Sequence, residues 1–204
     1  MALSLEKVSV ALGPRVLVPP LDLKIEPGEV VALMGPSGSG KSSLLAYLTG
    51  HLPPAMTGTG RVMLDGEEVT RQAPHRRRLG ILFQDDLLFP HLSVGGNLLF
   101  GVSRAVSARR KTAEDALARA ELPGLFDAQV ETLSGGQRAR VALLRTMLAQ
   151  PRALLLDEPF GRLDAPLRER MRAFVWEWAA GLPVLLVTHD AADIPPNALK
   201  ITLL

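Results

Sequence analysis

The chain of 204 residues is 47% hydrophobic, has a formal net charge of +2 and contains no cysteine. That apolar content excludes global disorder. The missing thiols exclude disulfides and cysteine chemistry, and so small a charge does not by itself imply a nucleic-acid partner. The opening run MALSLEKVSVALG alternates like a strand and lacks the charged and apolar regions of a signal peptide. No stretch approaches the roughly 18 uninterrupted apolar residues of a membrane span. A soluble chain forming one compact domain is expected.

In chain order, LSLEKVSV predicts an early strand turning at Gly13-Pro14. LDLKIEPGEVVALMG reads as a strand, a Pro27-Gly28 turn and a buried apolar strand over 30–34. GPSGSGKS follows at once, and a helix is predicted from near Lys41 to a stop at Gly50. The pattern G-x-x-x-x-G-K-[ST] between strand and helix is a phosphate-binding loop. Its glycines let backbone N–H groups wrap a phosphate chain, Lys41 reaches the terminal phosphates, and the Ser42 hydroxyl can bind Mg2+. Gly35, Pro36, Ser37, Gly38, Ser39, Gly40, Lys41, Ser42 and Ser43 are therefore the expected nucleotide-binding residues.

Asp65-Gly66 predicts a hairpin between RVML and EEVT, and LGILFQ is a further short strand. From about Asp85 to Gln150 strand signals stop. TAEDALARAEL reads as a helix, with Thr112 and Asp115 as its capping pair. ALLLDE (153–158) and LPVLLVTHD (182–190) restore buried strands of the parallel kind. Between them PLRERMRAFVWEWAAG is helical, with Pro166 at its start and Gly181 past its end. LKITLL reads as a last strand. The expected fold is α/β: an antiparallel β portion and a P-loop core over 1–84 and 151–204, with a helical insert over 85–150.

At the end of the ALLLDE strand, Asp157 is placed to hold Mg2+, and Glu158 to orient and deprotonate an attacking water. Alone, such a pair reads as readily as a solvated strand end; the P-loop upstream favours the catalytic reading. LSGGQ, Leu133–Gln137, opens a helix rich in arginine, and the free backbone N–H groups and positive dipole end at its N-terminus make a second natural anion site.

GPSGSGKS, LSGGQ and LLLDEP in this order resemble the ATP-binding subunits of ABC transporters, over nearly the whole chain. In that family LSGGQ is the signature motif. The resemblance implies that Leu133, Ser134, Gly135, Gly136 and Gln137 cover the γ-phosphate of ATP held by a second subunit, in a head-to-tail homodimer formed with ATP. It further implies that Gln84 contacts Mg2+ or the lytic water, that His189 is the switch histidine, and that Asp164 crosses the dimer interface. FQDDLLFPHLSVGGNLLF is similar to the importer branch that serves thiamine, polyamine, sulfate or iron uptake. Phe89, Leu92 and Val94 are either core residues of the helical part or the lining of a groove for a permease helix. The implied partners are integral membrane permease subunits and a periplasmic or extracellular solute-binding protein, with no nucleic acid. The implied place is the cytoplasmic face of the membrane. The alternative is a soluble ABC-type, ATP-dependent switch not coupled to transport.

Two departures stand out. The family places an adenine-stacking aromatic where this chain has Leu12, so Leu12 and Val16 are the residues expected to face the base, and weaker nucleotide affinity is expected. Gly161 and Arg162 replace small residues beside Asp164; Arg162 either pairs with an acid at the dimer seam or points outward. Elsewhere, Arg76, Arg77 and Arg78 read as a solvated surface. Phe174 and Trp178 are expected to pack inward, with Trp176 partly exposed, and His51, His75 and His91 lack metal-ligand spacing.

Overall fold

The computed structural model describes residues 1–161 and 163–203. They form two compact units. The first comprises Met1–Ile81, Arg152–Glu158 and Ala179–Leu204; the second comprises Leu82–Pro151 and Pro159–Trp178. No helix among the described residues is long and apolar enough to cross a membrane. Arg162 lies outside the described residues.

The first unit begins with β1 (Leu3–Leu12) and β2 (Arg15–Ile25), followed by β3 (Val30–Met34) and the helix α1 (Lys41–Thr49). β4 (Met56–Leu64) and β5 (Glu67–Glu68) flank the Asp65-Gly66 turn, and β6 (Leu79–Leu82) follows. After the helical stretch come β7 (Ala153–Asp157), β8 (Val184–Val187) and β9 (Leu199–Thr202). An antiparallel sheet has the order β2-β1-β4-β5, and a five-stranded sheet the order β6-β7-β8-β3-β9, in which β7, β8, β3 and β9 run parallel.

The sequence accounts for both sheets. In β1 the buried residues are Leu3 and Leu5, then Val8 and Val10, so the period of two slips by one residue. The pairing register shifts there, and Lys7 has a left-handed φ of 50°: the slip is a β-bulge. β3, β7 and β8 instead bury consecutive apolar residues, as strands covered on both faces do. Residues of both sheets join Leu44, Leu45 and Leu48 of α1 in one core.

The second unit holds α2 (Val94–Gly101), α3 (Arg109–Arg119), α4 (Gly135–Leu148) and α5 (Ala165–Trp178). α2 packs on α3 and α4, α3 on α4, and α4 on α5. α5, grouped by sequence with the core, belongs to this unit. α3 begins before the expected capping pair: Ala108 is its cap and offers no side-chain hydrogen bond, while Thr112 donates back to the Ala108 carbonyl at 3.1 Å. The ion pairs Arg110–Glu114 and Lys111–Asp115, both at 2.8 Å, support the extra turn. Trp176 is partly exposed, as expected, and Phe174 and Trp178, whose rings lie 5.7 Å apart, are half-buried. Trp176 meets the fully buried Phe160 edge-on at 6.3 Å, while Trp178 lies under the Arg119 guanidinium at 4.1 Å.

The arginine triplet is not a uniformly solvated surface. Arg77 is 7% exposed, and its guanidinium donates to the Tyr47 and Leu48 carbonyls at 2.8 and 2.7 Å, to Gln72 O at 2.9 Å and to Thr70 O. It thus satisfies carbonyls at the C-terminal end of α1, where a cation also complements the helix dipole. Replacing Arg77 by Met leaves those acceptors unmet. Urea unfolding should show a loss of about 2–4 kcal/mol through a lower midpoint at unchanged m.

Candidate functional site

β3 lies between β8 and β9, so its C-terminal end opens in the middle of the parallel strands. The loop there is held by its own cation. Lys41 Nζ donates to the Gly35 and Pro36 carbonyls at 2.9 and 2.7 Å and lies 3.4 Å from Ser39 Oγ, leaving Lys41 only 6% exposed. Gly40 caps α1 at φ 90°, so no side chain caps the helix, and its first turn contains no acidic residue. Such an N-terminus favours an anion. A Cβ at Gly40 would meet Val18 Cγ2 at 2.9 Å, and one at Gly35 would meet Leu203 O at 2.4 Å. β2 and the segment after β9 therefore press on the loop from two sides.

Asp157 ends β7 in register with Val187 of β8. Its Oδ1 lies 3.4 Å from the Ser42 hydroxyl, which donates to it. Burial and the neighbouring Glu158 charge raise the Asp157 pKa, against the Ser42 hydrogen bond and the Lys41 charge. A hydroxyl and a half-buried carboxylate converging in this way fit Mg2+, which takes one or two protein oxygens and completes its shell with phosphate and water.

Glu158 follows with a left-handed φ of 47°, and its N–H donates to the Val187 carbonyl at 2.9 Å. Its Oε1 is 3.3 Å from His189 Nδ1. The histidine loop is set by the buried Thr188, whose hydroxyl accepts from Asp190 N at 3.1 Å and bonds Asp193 Oδ2 at 3.2 Å. The first unit thus brings together the loop from Gly35 to Ser43, Asp157, Glu158 and His189. At its β1–β2 hairpin, Leu12 and Val16 are 43% and 59% exposed and present an aliphatic surface.

In the second unit Ser134 caps α4. Its Oγ accepts from Gln137 N at 3.3 Å, and Gln137 Oε1 accepts from Ser134 N at 2.8 Å, a reciprocal capping box. The two glycines inside the motif differ. A Cβ on Gly135 would have only Arg138 Nη2 near, at 4.0 Å, whereas one on Gly136 would strike Leu167 Cδ1 of α5 at 2.5 Å. Leu133 is buried. Asp164 caps α5, its Oδ1 accepting from Leu167 N at 2.9 Å. Gln84 is exposed on the loop after β6, in this second unit.

Of the groove candidates, Val94 is fully buried in the core, while Phe89 is half-buried, its ring 4.9 Å from that of Phe100, which is 72% exposed. Three residues escaped the sequence reading. Asn97, wholly buried, brackets Phe89 by accepting from its N–H at 2.8 Å and donating to its carbonyl at 3.1 Å. Arg138 and Arg145 of α4 both reach the loop at Asp86. Their signals were a lone amide in the apolar run NLLF, and two arginines two helical turns apart.

A P-loop closed by a buried lysine after β3, a histidine following the adjacent β8 and an acid pair at the end of β7, on the far side of β8, define a P-loop nucleoside triphosphatase. The ABC transporter family model matches residues 18–161. The chain is 45% identical to the uncharacterized ABC transporter ATP-binding protein YnjD of Escherichia coli, over 96% of this chain and 92% of that protein. It is 41% identical to the sulfate/thiosulfate import ATP-binding protein CysA of Thermosynechococcus vestitus, over 95% and 58%. It is 40% identical to the Fe(3+) ions import ATP-binding protein FbpC of Pasteurella multocida, over 94% and 55%. The chain spans nearly all of YnjD and a little over half of the other two. It belongs to the ABC transporter family, as one of its ATP-binding ATPases.

The contrast between the glycines is measurable. Gly136→Ala should lower stability by about 1–3 kcal/mol through overpacking, with Leu167→Ala relieving part of the loss, while Gly135→Ala leaves the urea midpoint nearly unchanged.

Proposed function

We propose that this chain hydrolyses ATP as a homodimer on the cytoplasmic face of a membrane and powers import of a solute through separate permease subunits. The observation that carries this reading is the open surface at Gly135, on the N-terminus of a 14-residue helix whose own cap is complete. Nothing in its own packing requires a glycine there; a phosphate brought by a second subunit does. CysA and FbpC are import proteins by name, which supports uptake and, with it, a solute-binding protein. The domain is a single ABC ATPase over residues 1–204, built of a core and a helical subdomain.

In the proposed reaction, loop N–H groups and Lys41 bind the β- and γ-phosphates. Water attacks the γ-phosphorus in line, the bond to the ADP oxygen breaks, and inorganic phosphate and ADP result. Glu158 accepts the proton from the water, and His189, within 3.3 Å of it, fixes the water and the γ-phosphate. Ser134 and the N–H groups of Gly135 and Gly136 act on the ATP of the other subunit, and Asp164 sits at that seam. Ser42 and Asp157 would hold Mg2+, which would neutralise phosphate charge.

Light scattering on Glu158→Gln tests this. ATP should double the mass, and Ser134→Arg should abolish the doubling. Leu12→Tyr in the same background should tighten ATP binding about tenfold, a stacking gain of 1–3 kcal/mol. A mass that stays monomeric with saturating ATP, with and without Leu12→Tyr, would overturn the trans arrangement.

A further inference from the structure

The loop that follows β6 is fastened to α4 at two points. Arg145 donates to the Asp86 carbonyl at 3.2 Å and to the Leu87 carbonyl at 2.9 Å, and its guanidinium stands 5.3 Å over the Phe89 ring. One turn from the start of the helix, Arg138 uses its fork in two directions. Nε donates to Asp86 Oδ2 at 3.0 Å, and Nη1 donates to the Leu133 carbonyl at 2.9 Å, immediately before Ser134. The other Asp86 oxygen accepts from Leu88 N at 3.2 Å, so this carboxylate also shapes its own loop. A cavity of about 290 Å³ opens beside the pair, lined by Gln84, Asp86, Gly135 and Arg138 among others.

We propose that Asp86 and Arg138 are positioning residues that couple the Gln84 loop to the signature turn. A shift of the segment from the exposed Leu87 to the half-buried Phe89 is passed through the Asp86 carboxylate and the Arg138 guanidinium to the Leu133 carbonyl, and so to the orientation of Ser134. Lysine cannot substitute, because one ammonium lacks the planar fork that reaches both acceptors at once. The Arg138 and Asp86 side chains are 39% and 32% exposed, so the pair adds little to global stability. Its effect is on where the turn sits. The catalytic consequence rests on the trans reading of Ser134, but the coupling itself does not.

The test is amide hydrogen exchange on the full, nucleotide-free chain. Coupling is reciprocal. Asp86→Asn, which keeps an acceptor for Leu88 N, should speed exchange over 134–138 about tenfold, and Arg138→Lys should do the same over 84–88, with the urea midpoint nearly unmoved. The double variant should add little to either single one. Exchange that rises only in the mutated segment, or effects that simply add, would overturn the coupling. Since no ATP is present, failure of the dimer in the light-scattering experiment leaves this result readable on its own.

Discussion

The first unit is organised around an ammonium ion kept from water. A lysine as buried as Lys41 is tolerated only when acceptors saturate it, and the Gly35 and Pro36 carbonyls supply them. The loop can turn those carbonyls inward because Gly35, Gly38 and Gly40 all take positive φ. Two of these glycines serve a second purpose, since neighbouring chain occupies the place of their Cβ atoms. Leu17 and Val18 of β2 close on Gly40, and the Leu203 carbonyl closes on Gly35. The antiparallel hairpin and the last strand are therefore part of the phosphate loop's support, although each is remote from it in sequence.

The second unit is organised by arginines acting on backbone carbonyls. Arg138 holds Leu133 O, Arg140 holds Ala120 O at 2.7 Å, and Arg145 holds Asp86 O and Leu87 O. Burial lowers the pKa of Arg145, yet a guanidinium remains charged and its planar donors suit the splayed carbonyls of a loop in the left-handed region, as Leu87 is at φ 45°. Arg77 does the same work at the end of α1 in the first unit. In both units loops that regular hydrogen bonding cannot satisfy are finished by arginine.

This is why the sequence was legible in some places and not in others. Strands such as 153–157 and 184–187 are written in consecutive apolar residues, and the phosphate loop in glycines at fixed spacing, so local pattern suffices. The partner of an arginine is not written locally: Arg77 reaches back to Tyr47, and Arg138 reaches back to Asp86. Read by composition, RRR is a solvated run and the arginines of α4 are merely charged; read by geometry, Arg77, Arg138, Arg140 and Arg145 are struts. The start of α3 was misplaced for a related reason. Thr112 and Asp115 have the residue types of a cap, but pairs formed four apart by Arg110 and Lys111 carry the helix one turn earlier. The Phe89 segment shows the same limit, since core and groove readings diverge only once Val94 is found buried and Phe100 exposed.

The two helix N-termini differ in a way that bears on their order of use. α1 has no side-chain cap, so its first turn lacks an internal acceptor and gains most from a bound phosphate. α4 is already capped by Ser134 and Gln137 and keeps its shape alone. What α4 has left to offer is smaller: the Ser134 hydroxyl accepts from Gln137 N but retains its own proton to donate, and the Gly135 side stays sterically open. On the proposed reading, phosphate settles first at the uncapped helix, and the capped one closes on it afterwards as a weaker, additional donor. On that same reading, a clamp that opens after each hydrolysis needs that inequality. Were both ends equally short of acceptors, each would hold the phosphate as tightly as the other, and release of the second subunit would become the slow step.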